Sequence, residues 1–274
     1  MGRQWGSPPR PRSAPGCGGL DGGRVAPAQA ADVVSSNIVG YEKVNLVSGF
    51  NMVGVQFVQV GTTETAKDLS DAMQMDSTMT GFDEEGNFAS FMKVWDGANY
   101  ATYGWSGTSG TDVLDDSSFD NKWLNGDLEE VEGEVMDKSA AAWIIAEKAG
   151  TMTVSGQVPS AATVTVSLTS GFNMVANPYP ANVAVSDFGV LDASFAGFDE
   201  EGNFASFMKV WDGQNYATYG WAGTSGTDVL DDASFDNKWL NGDLELVETP
   251  ITYGHGVWLI AEKAGNITFT NPAQ

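Results

Sequence analysis

From Asn37 onward, apolar and polar residues alternate with the period of two that marks a half-buried strand. In VGYEKVNLVSGFNMVGVQF the apolar positions Val39, Tyr41, Val44 and Leu46, then Val53, Val55 and Phe57, lie either side of Ser48-Gly49, which predicts a β-hairpin turning there. ATVTVSLTSGFNMVANPYP predicts a second such hairpin, with Val164, Val166 and Leu168 alternating with Thr165, Ser167 and Thr169 ahead of Ser170-Gly171. The prolines of Asn177-Pro178-Tyr179-Pro180 cannot donate to a ladder, so they end that strand or hold it at an edge.

Helical periodicity barely registers. Residues 65–73 and 186–191 each allow at most a turn or two, with Thr65 or Ser186 placed to cap the first turn. An acidic turn, Asp83-Glu84-Glu85-Gly86-Asn87, then separates Phe82 from Phe88. The strongest hairpin pattern is FMKVWDGANYATYGW, where a four-residue loop at 96–99 pairs Trp95 with Tyr100, Val94 with Ala101, Lys93 with Thr102 and Met92 with Tyr103. That register puts Met92, Val94, Ala101, Tyr103 and Trp105 on one face, the core face because it lacks a charge. Phe91, Lys93, Trp95, Tyr100 and Thr102 take the other. Residues 106–121 read as loop, and Asn125-Gly126 marks a further short hairpin. Two closing hairpins around Glu-Lys-Ala-Gly set Trp143 opposite Val154 and Ile145 opposite Met152, then Trp258 opposite Phe269 and Ile260 opposite Ile267.

The elements come twice because the chain is a tandem duplication. Residues 81–132 return as 197–248 with four substitutions, Ala98 to Gln214, Ser106 to Ala222, Ser117 to Ala233 and Glu130 to Leu246. Short strands punctuated by Gly, Asn and Asp in each copy predict an all-β chain of two tandem antiparallel β-sandwich or barrel-like repeats, residues 37–159 and 160–274. A single fused, pseudo-twofold sheet structure is the alternative.

Residues 1–36 do not share this pattern. All four arginines, Arg3, Arg10, Arg12 and Arg24, lie there among crowded Pro and Gly, a composition that cannot bury enough surface to fold. Ala28-Gln29-Ala30 has the small-x-small form of a signal-peptidase site without the apolar stretch that should precede it, so the segment is read as disordered or as a mis-assigned start with no intact signal peptide.

Thirteen Lys and Arg against 36 Asp and Glu leave a formal charge of −23, which repels nucleic acid and anionic membranes and attracts cations. The longest apolar run, Ala140 to Ala146, is far short of the ~20 residues a membrane-spanning helix needs. Cys17 is the single cysteine, so no disulfide forms within the chain.

The order GFNMVANPYP, a WDGxxY hairpin and GVWLIAEKAGNITFT resembles secreted β-rich repeat proteins of environmental bacteria. The resemblance covers most of residues 37–272 and implies fold and export, hence an extracellular or cell-surface location; it implies no catalytic residue. Copy one departs from it, reading GVQF where copy two has ANPYP.

Catalytic chemistry has little footing. His255 is the sole histidine, no G-x-S-x-G elbow or phosphate-binding glycine loop occurs, and zinc sites built from N and S ligands lack partners. The expectation is a non-enzymatic protein with a structural or adhesive role and no cofactor. Its partners are polysaccharide or other surface proteins, not nucleic acid, and no part inserts in a membrane. Nine Trp and seven Tyr raise a carbohydrate-binding module as the alternative, since sugar rings stack on such side chains. The candidate platform is Trp95 and Tyr100 beside Lys93, repeated as Trp211 and Tyr216 beside Lys209, unless the 106–121 loop covers it. A glycoside hydrolase, which needs two carboxylates across a cleft, is the third reading. Calcium is the one ion with candidate ligands: Asp83, Glu85 and Asn87 in one turn, and Asp112, Asp115, Asp116 and Asp120 in one loop, none at EF-hand spacing.

Overall fold

The strands on either side of Ser48-Gly49 do not pair with each other. In the computed structural model, which describes residues 39–57, 67–68, 73–108, 116–131, 135–136, 139–224 and 232–274, β1 (Val39–Leu46) pairs antiparallel with β10 (Gly150–Gln157), and β2 (Gly49–Gly54) with β9 (Ala141–Ala146). The register runs from Val39↔Gln157 to Leu46↔Gly150 and resumes at Gly49↔Ala146. One two-stranded ribbon therefore turns a corner and passes from one sheet into another, as strands do at the corners of orthogonal packings. The corner is chemically specified. Gly49 takes φ +91°, and the Asn51 side chain accepts from the Val47 N–H (2.8 Å) while donating to the carbonyls of Val47 (2.8 Å) and Gly49 (2.9 Å). Asn173 makes the same corner in the second repeat, bonding Thr169 and Gly171.

The four closing pairs expected from the Glu-Lys-Ala-Gly turns are overturned with it. Trp143 lies opposite Met52 and Lys93, and Val154 opposite Glu42 and Met73. Trp258 lies opposite Met174 and Lys209, and Phe269 opposite Val164. Ile145 and Ile260 likewise pair across to Phe50 and Phe172, not to Met152 and Ile267. Both turns are corners of the ribbon, and alternation alone cannot distinguish a corner from a hairpin.

Around these ribbons the first repeat builds a three-stranded sheet in the order β1-β10-β4 and a five-stranded sheet in the order β2-β9-β5-β6-β7. β4 is Met73–Met75, β5 Phe91–Trp95, β6 Tyr100–Trp105 and β7 Trp123–Leu124. The short strands β3 (Lys67–Asp68) and β8 (Val135–Met136) pair separately. The second repeat follows the same plan. β11 (Thr163–Leu168), β20 (Gly265–Thr270) and β14 (Val190–Leu191) form its small sheet. Its large sheet has the order β12 (Gly171–Ala176), β19 (Gly256–Ala261), β15 (Phe207–Trp211), β16 (Tyr216–Trp221), β17 (Trp239–Leu240), and β13 (Val183–Ala184) pairs with β18 (Pro250–Ile251). The chain is thus all-β, in small antiparallel sheets with a four-bladed, propeller-like arrangement.

The hairpin at 96–99 forms with the expected register, Trp95↔Tyr100 through Met92↔Tyr103. Of the stretch 65–73, which the sequence allows at most a turn or two of helix, Lys67–Asp68 and Met73 lie in strands, and residues 65–66 and 69–72, Thr65 among them, lie outside the described residues. Near 186–191 there is one 3-10 turn, Val185–Asp187, whose cap position is Ala184. Ser186 sits inside that turn, where its buried hydroxyl donates to the Trp239 carbonyl (2.9 Å) and accepts from the Val247 N–H (2.6 Å).

Each repeat fills the space between its small and large sheets. In the first, Val44, Met73, Met152 and Val154 meet Val53, Met92, Trp105, Trp123 and Ile144, all buried. Trp123 Nε1–H is satisfied by the Met73 carbonyl (2.7 Å) and its counterpart Trp239 by Phe188 (2.8 Å). Residues Ser36–Gln274 group into one compact unit, because a third apolar cluster, drawn from both repeats, joins the outer faces of the two large sheets.

Candidate functional site

The outer face of each large sheet carries the aromatic row singled out from the hairpin register, and the two rows meet across the repeats. Trp95 and Tyr100 stand with ring centroids 5.0 Å apart, and Trp211 and Tyr216 4.9 Å apart. Lys93 Nζ lies 5.7 Å from the Tyr100 ring centroid and Lys209 Nζ 5.9 Å from that of Tyr216. All six candidate residues are therefore brought together in two equivalent sets, as the duplication requires.

Neither set is an open platform. Trp95 is half-buried, meets Trp258 of the other repeat edge-on at 5.8 Å, and donates its Nε1–H to the Phe172 carbonyl (3.0 Å). Trp211 does the same in reverse, meeting Trp143 at 5.8 Å and donating to Phe50 (3.0 Å). The partner repeat covers the indoles, and residues 109–115 of the 106–121 loop lie outside the described residues. Phe50 and Phe172 complete the rows by packing edge-on against Trp143 and Trp258 at 5.6 Å. What remains open is the tyrosines, 40% and 41% exposed, together with Phe50 and Phe172, 52% and 54% exposed. Partial burial pushes both phenols up from their ordinary pKa. The Trp143 indole opposes this at Tyr100 and the Trp258 indole at Tyr216, while the neighbouring Tyr100 adds to the rise at Tyr216.

At the centre of the interface the backbones come close. Gly54 N–H donates to the Gly254 carbonyl (2.9 Å) and Ala176 N–H to the Ser139 carbonyl (2.7 Å), a reciprocal pair between equivalent positions. Beside it stands a buried carboxylate that no alternation pattern predicts. Glu42, 7% exposed, occupies the inward position that Val164 holds in the second repeat. With the Gln56 side-chain amide turned to suit its neighbours, its nitrogen donates to Glu42 and its oxygen accepts from the Gly254 N–H. Burial pushes the Glu42 carboxyl up to about 7. His255 bridges to Val53, and its Nδ1 lies 3.4 Å from the Tyr253 carbonyl. It lines a cavity of about 340 Å³ between the repeats with Val44, Phe50, Met52, Trp211 and Ile251.

The acidic turns bind themselves. Asp83 Oδ1 accepts from the N–H of Asn87 (2.7 Å) and of Glu85 (3.0 Å), and Asn87 Nδ2 donates to both carboxylate oxygens. These bonds, Asn87's first, hold the Asp83 carboxyl below its usual range. Asp116 caps the 3-10 turn Ser117–Phe119 by accepting from Ser118 N–H (2.9 Å), and Asp120 follows that turn. Asp112 and Asp115 lie outside the described residues. Among the described residues, no three His, Cys, Asp or Glu side chains are grouped so as to hold a metal ion. No described helix is long and apolar enough to cross a membrane.

Sequence reasoning missed Phe50, Trp143, Phe172 and Trp258 as the other half of the aromatic contact, because the expected hairpins set Trp143 opposite Val154 and Trp258 opposite Phe269, within their own repeats. Comparison with protein-family models, with curated proteins and with solved structures finds no match for the chain.

Proposed function

We propose that the chain is a non-enzymatic extracellular or cell-surface repeat protein with a structural or adhesive role, each repeat being a small antiparallel sandwich. One observation carries this reading: the aromatic side chains that would serve a ligand are engaged in clamping repeat to repeat, with Trp95 and Trp211 each donating to a carbonyl of the other repeat. A side chain committed on its ring edge and its N–H is a joint. Labelling intact producing cells with a membrane-impermeant amine reagent tests the location and role together. The protein should be labelled on the cell or recovered from the medium, and its deletion should weaken attachment or the surface layer. Recovery only from the cell interior overturns the proposal.

Carbohydrate binding is the second reading, favoured by the tyrosine edges that stay exposed beside Lys93 and Lys209. It requires retention on insoluble polysaccharide that Tyr100→Ala with Tyr216→Ala removes at unchanged stability. A glycoside hydrolase would instead release reducing sugar. The acidic turns serve as self-capped, solvated connectors in this proposal, so millimolar Ca²⁺ or chelator is expected to leave Tm unmoved. A rise of several degrees with Ca²⁺ would restore calcium to the account.

A further inference from the structure

The two repeats meet as an isologous pair. Equivalent residues face one another, and each contact made by repeat one is returned by repeat two, as in the Trp95–Phe172 and Trp211–Phe50 hydrogen bonds. In such an interface the residue nearest the pseudo-twofold axis meets its own equivalent. Gly54 and Ala176 are equivalents, closing GFNMVG and GFNMVA, and so are Ala141 and Gly256, opening AAWIIA and GVWLIA. A Cβ added at Gly54 would lie 2.3 Å from the Ala176 Cβ, and one added at Gly256 would lie 2.3 Å from the Ala141 Cβ. Carbon atoms cannot approach so closely, and the reciprocal backbone bonds from Gly54 to Gly254 and from Ala176 to Ser139 fix the spacing.

At both axial contacts, then, one partner is glycine and the other alanine, and the glycine is contributed once by each repeat. Two copies of repeat one would set Ala141 against Ala141. Two copies of repeat two would set Ala176 against Ala176. We infer that this glycine–alanine complementarity makes the inter-repeat face specific for an unlike repeat, so that repeat one accepts repeat two and like repeats of neighbouring chains reject each other. Nearly identical repeats carrying the same aromatic clamps would otherwise pair indiscriminately between chains, and a steric mismatch is the cheapest way to separate them.

Full-length variants test this by thermal melting and light scattering. Gly54→Ala should lower Tm by about 3–10 °C, the range expected for overpacking in a chain this size. Adding Ala176→Gly to it should restore most of the loss, because it clears the facing atom. Adding Ala141→Gly instead should restore nothing, although Ala141 is the in-register strand neighbour of Gly54. Gly256→Ala should behave as Gly54→Ala, with rescue by Ala141→Gly alone. Rescue of Gly54→Ala by Ala141→Gly, equal rescue by both, or a Gly54→Ala protein as stable as wild type and unchanged in oligomeric state overturns the inference. Replacing both alanines by glycine, Ala141→Gly with Ala176→Gly, removes the mismatch and should yield concentration-dependent oligomers. A variant that stays strictly monomeric at high concentration counts against the specificity role.

Discussion

Glu42→Gln is expected to stabilise the protein at pH 8 and to leave it unchanged near pH 4. Glu42 is nearly fully buried, and its carboxyl titrates at about 7 in the folded chain against an ordinary 4.5, with burial as the cause. An acid whose folded pKa is raised holds in the folded state a proton that the unfolded state releases. The stabilisation from that proton is therefore complete below about 4.5, declines as pH rises through the interval to about 7, and is gone above it. The difference of 2.5 between the two values corresponds to at most about 3 kcal/mol at 1.36 kcal/mol per unit. Glutamine removes the titration and keeps an oxygen to accept from the Gln56 amide. Valine, the residue at the equivalent position 164, removes the titration too but orphans that amide, at a cost of roughly 1–3 kcal/mol. Asp83, Asp199, Asp96 and Asp212 act in the opposite sense. Their carboxyls are held low by turn hydrogen bonds, so their contribution is lost as pH falls through their folded values. Urea midpoints of wild type should thus pass through a maximum and decline above pH 5, whereas those of Glu42→Gln should level off. Parallel curves for the two proteins from pH 4 to 8 would show that Glu42 carries no such burden.

The second large effect is expected from Trp95→Ala combined with Trp211→Ala. Each change removes a half-buried indole from an edge-on contact with a tryptophan of the other repeat and leaves the Phe172 or Phe50 carbonyl without its donor. Truncation of a fully buried Trp costs about 3–5 kcal/mol, so roughly 2–3 kcal/mol per site is expected for a half-buried one with a lost hydrogen bond. The effect should appear as a fall in the urea midpoint and as new proteolytic sensitivity in residues 158–162, which join the repeats. Trp95→Phe with Trp211→Phe, which keeps one aromatic ring in each contact and loses the pyrrole ring with its N–H, should recover part of the loss. A double alanine variant that is as stable as wild type, yet no longer retained on a polysaccharide that holds wild type, would make the indoles ligand-binding groups.

Much of the fold is legible along the chain, and the part that is not has an identifiable cause. The 96–99 hairpin is readable because Asp96 and Gly97 leave one register that separates charge from core. Asp96 indeed accepts from the N–H groups of Ala98 (2.8 Å) and Asn99 (2.6 Å), which closes that loop. The corners at Ser48-Gly49 and Ser170-Gly171 are misread as hairpins because Gly with φ > 0 suits both, and only the Asn51 and Asn173 side chains, three residues after each serine, distinguish them. The same error hides the interface. A strand pattern says which residues share a face, but it cannot say whether that face meets its own repeat, the other repeat or water. The expected closing hairpins set Trp143 opposite Val154 and Trp258 opposite Phe269, within their own repeats, and both tryptophans lie in the joint. Glu42 is unreadable for a different reason: a charged residue in an alternating strand is expected to face solvent, and here the pattern shifts so that Tyr41 is exposed instead.

The corner-turning ribbon also decides how the protein bears load. In each repeat the first and last strands are antiparallel neighbours whose outer ends coincide, Val39 opposite Gln157 and Thr163 opposite Thr270. A pull applied to the two ends of a repeat therefore opens the ladder like a zipper, one rung at a time, instead of loading all rungs in shear. A pull on the two ends of one repeat would be relieved by gradual peeling of β1 from β10 or of β11 from β20.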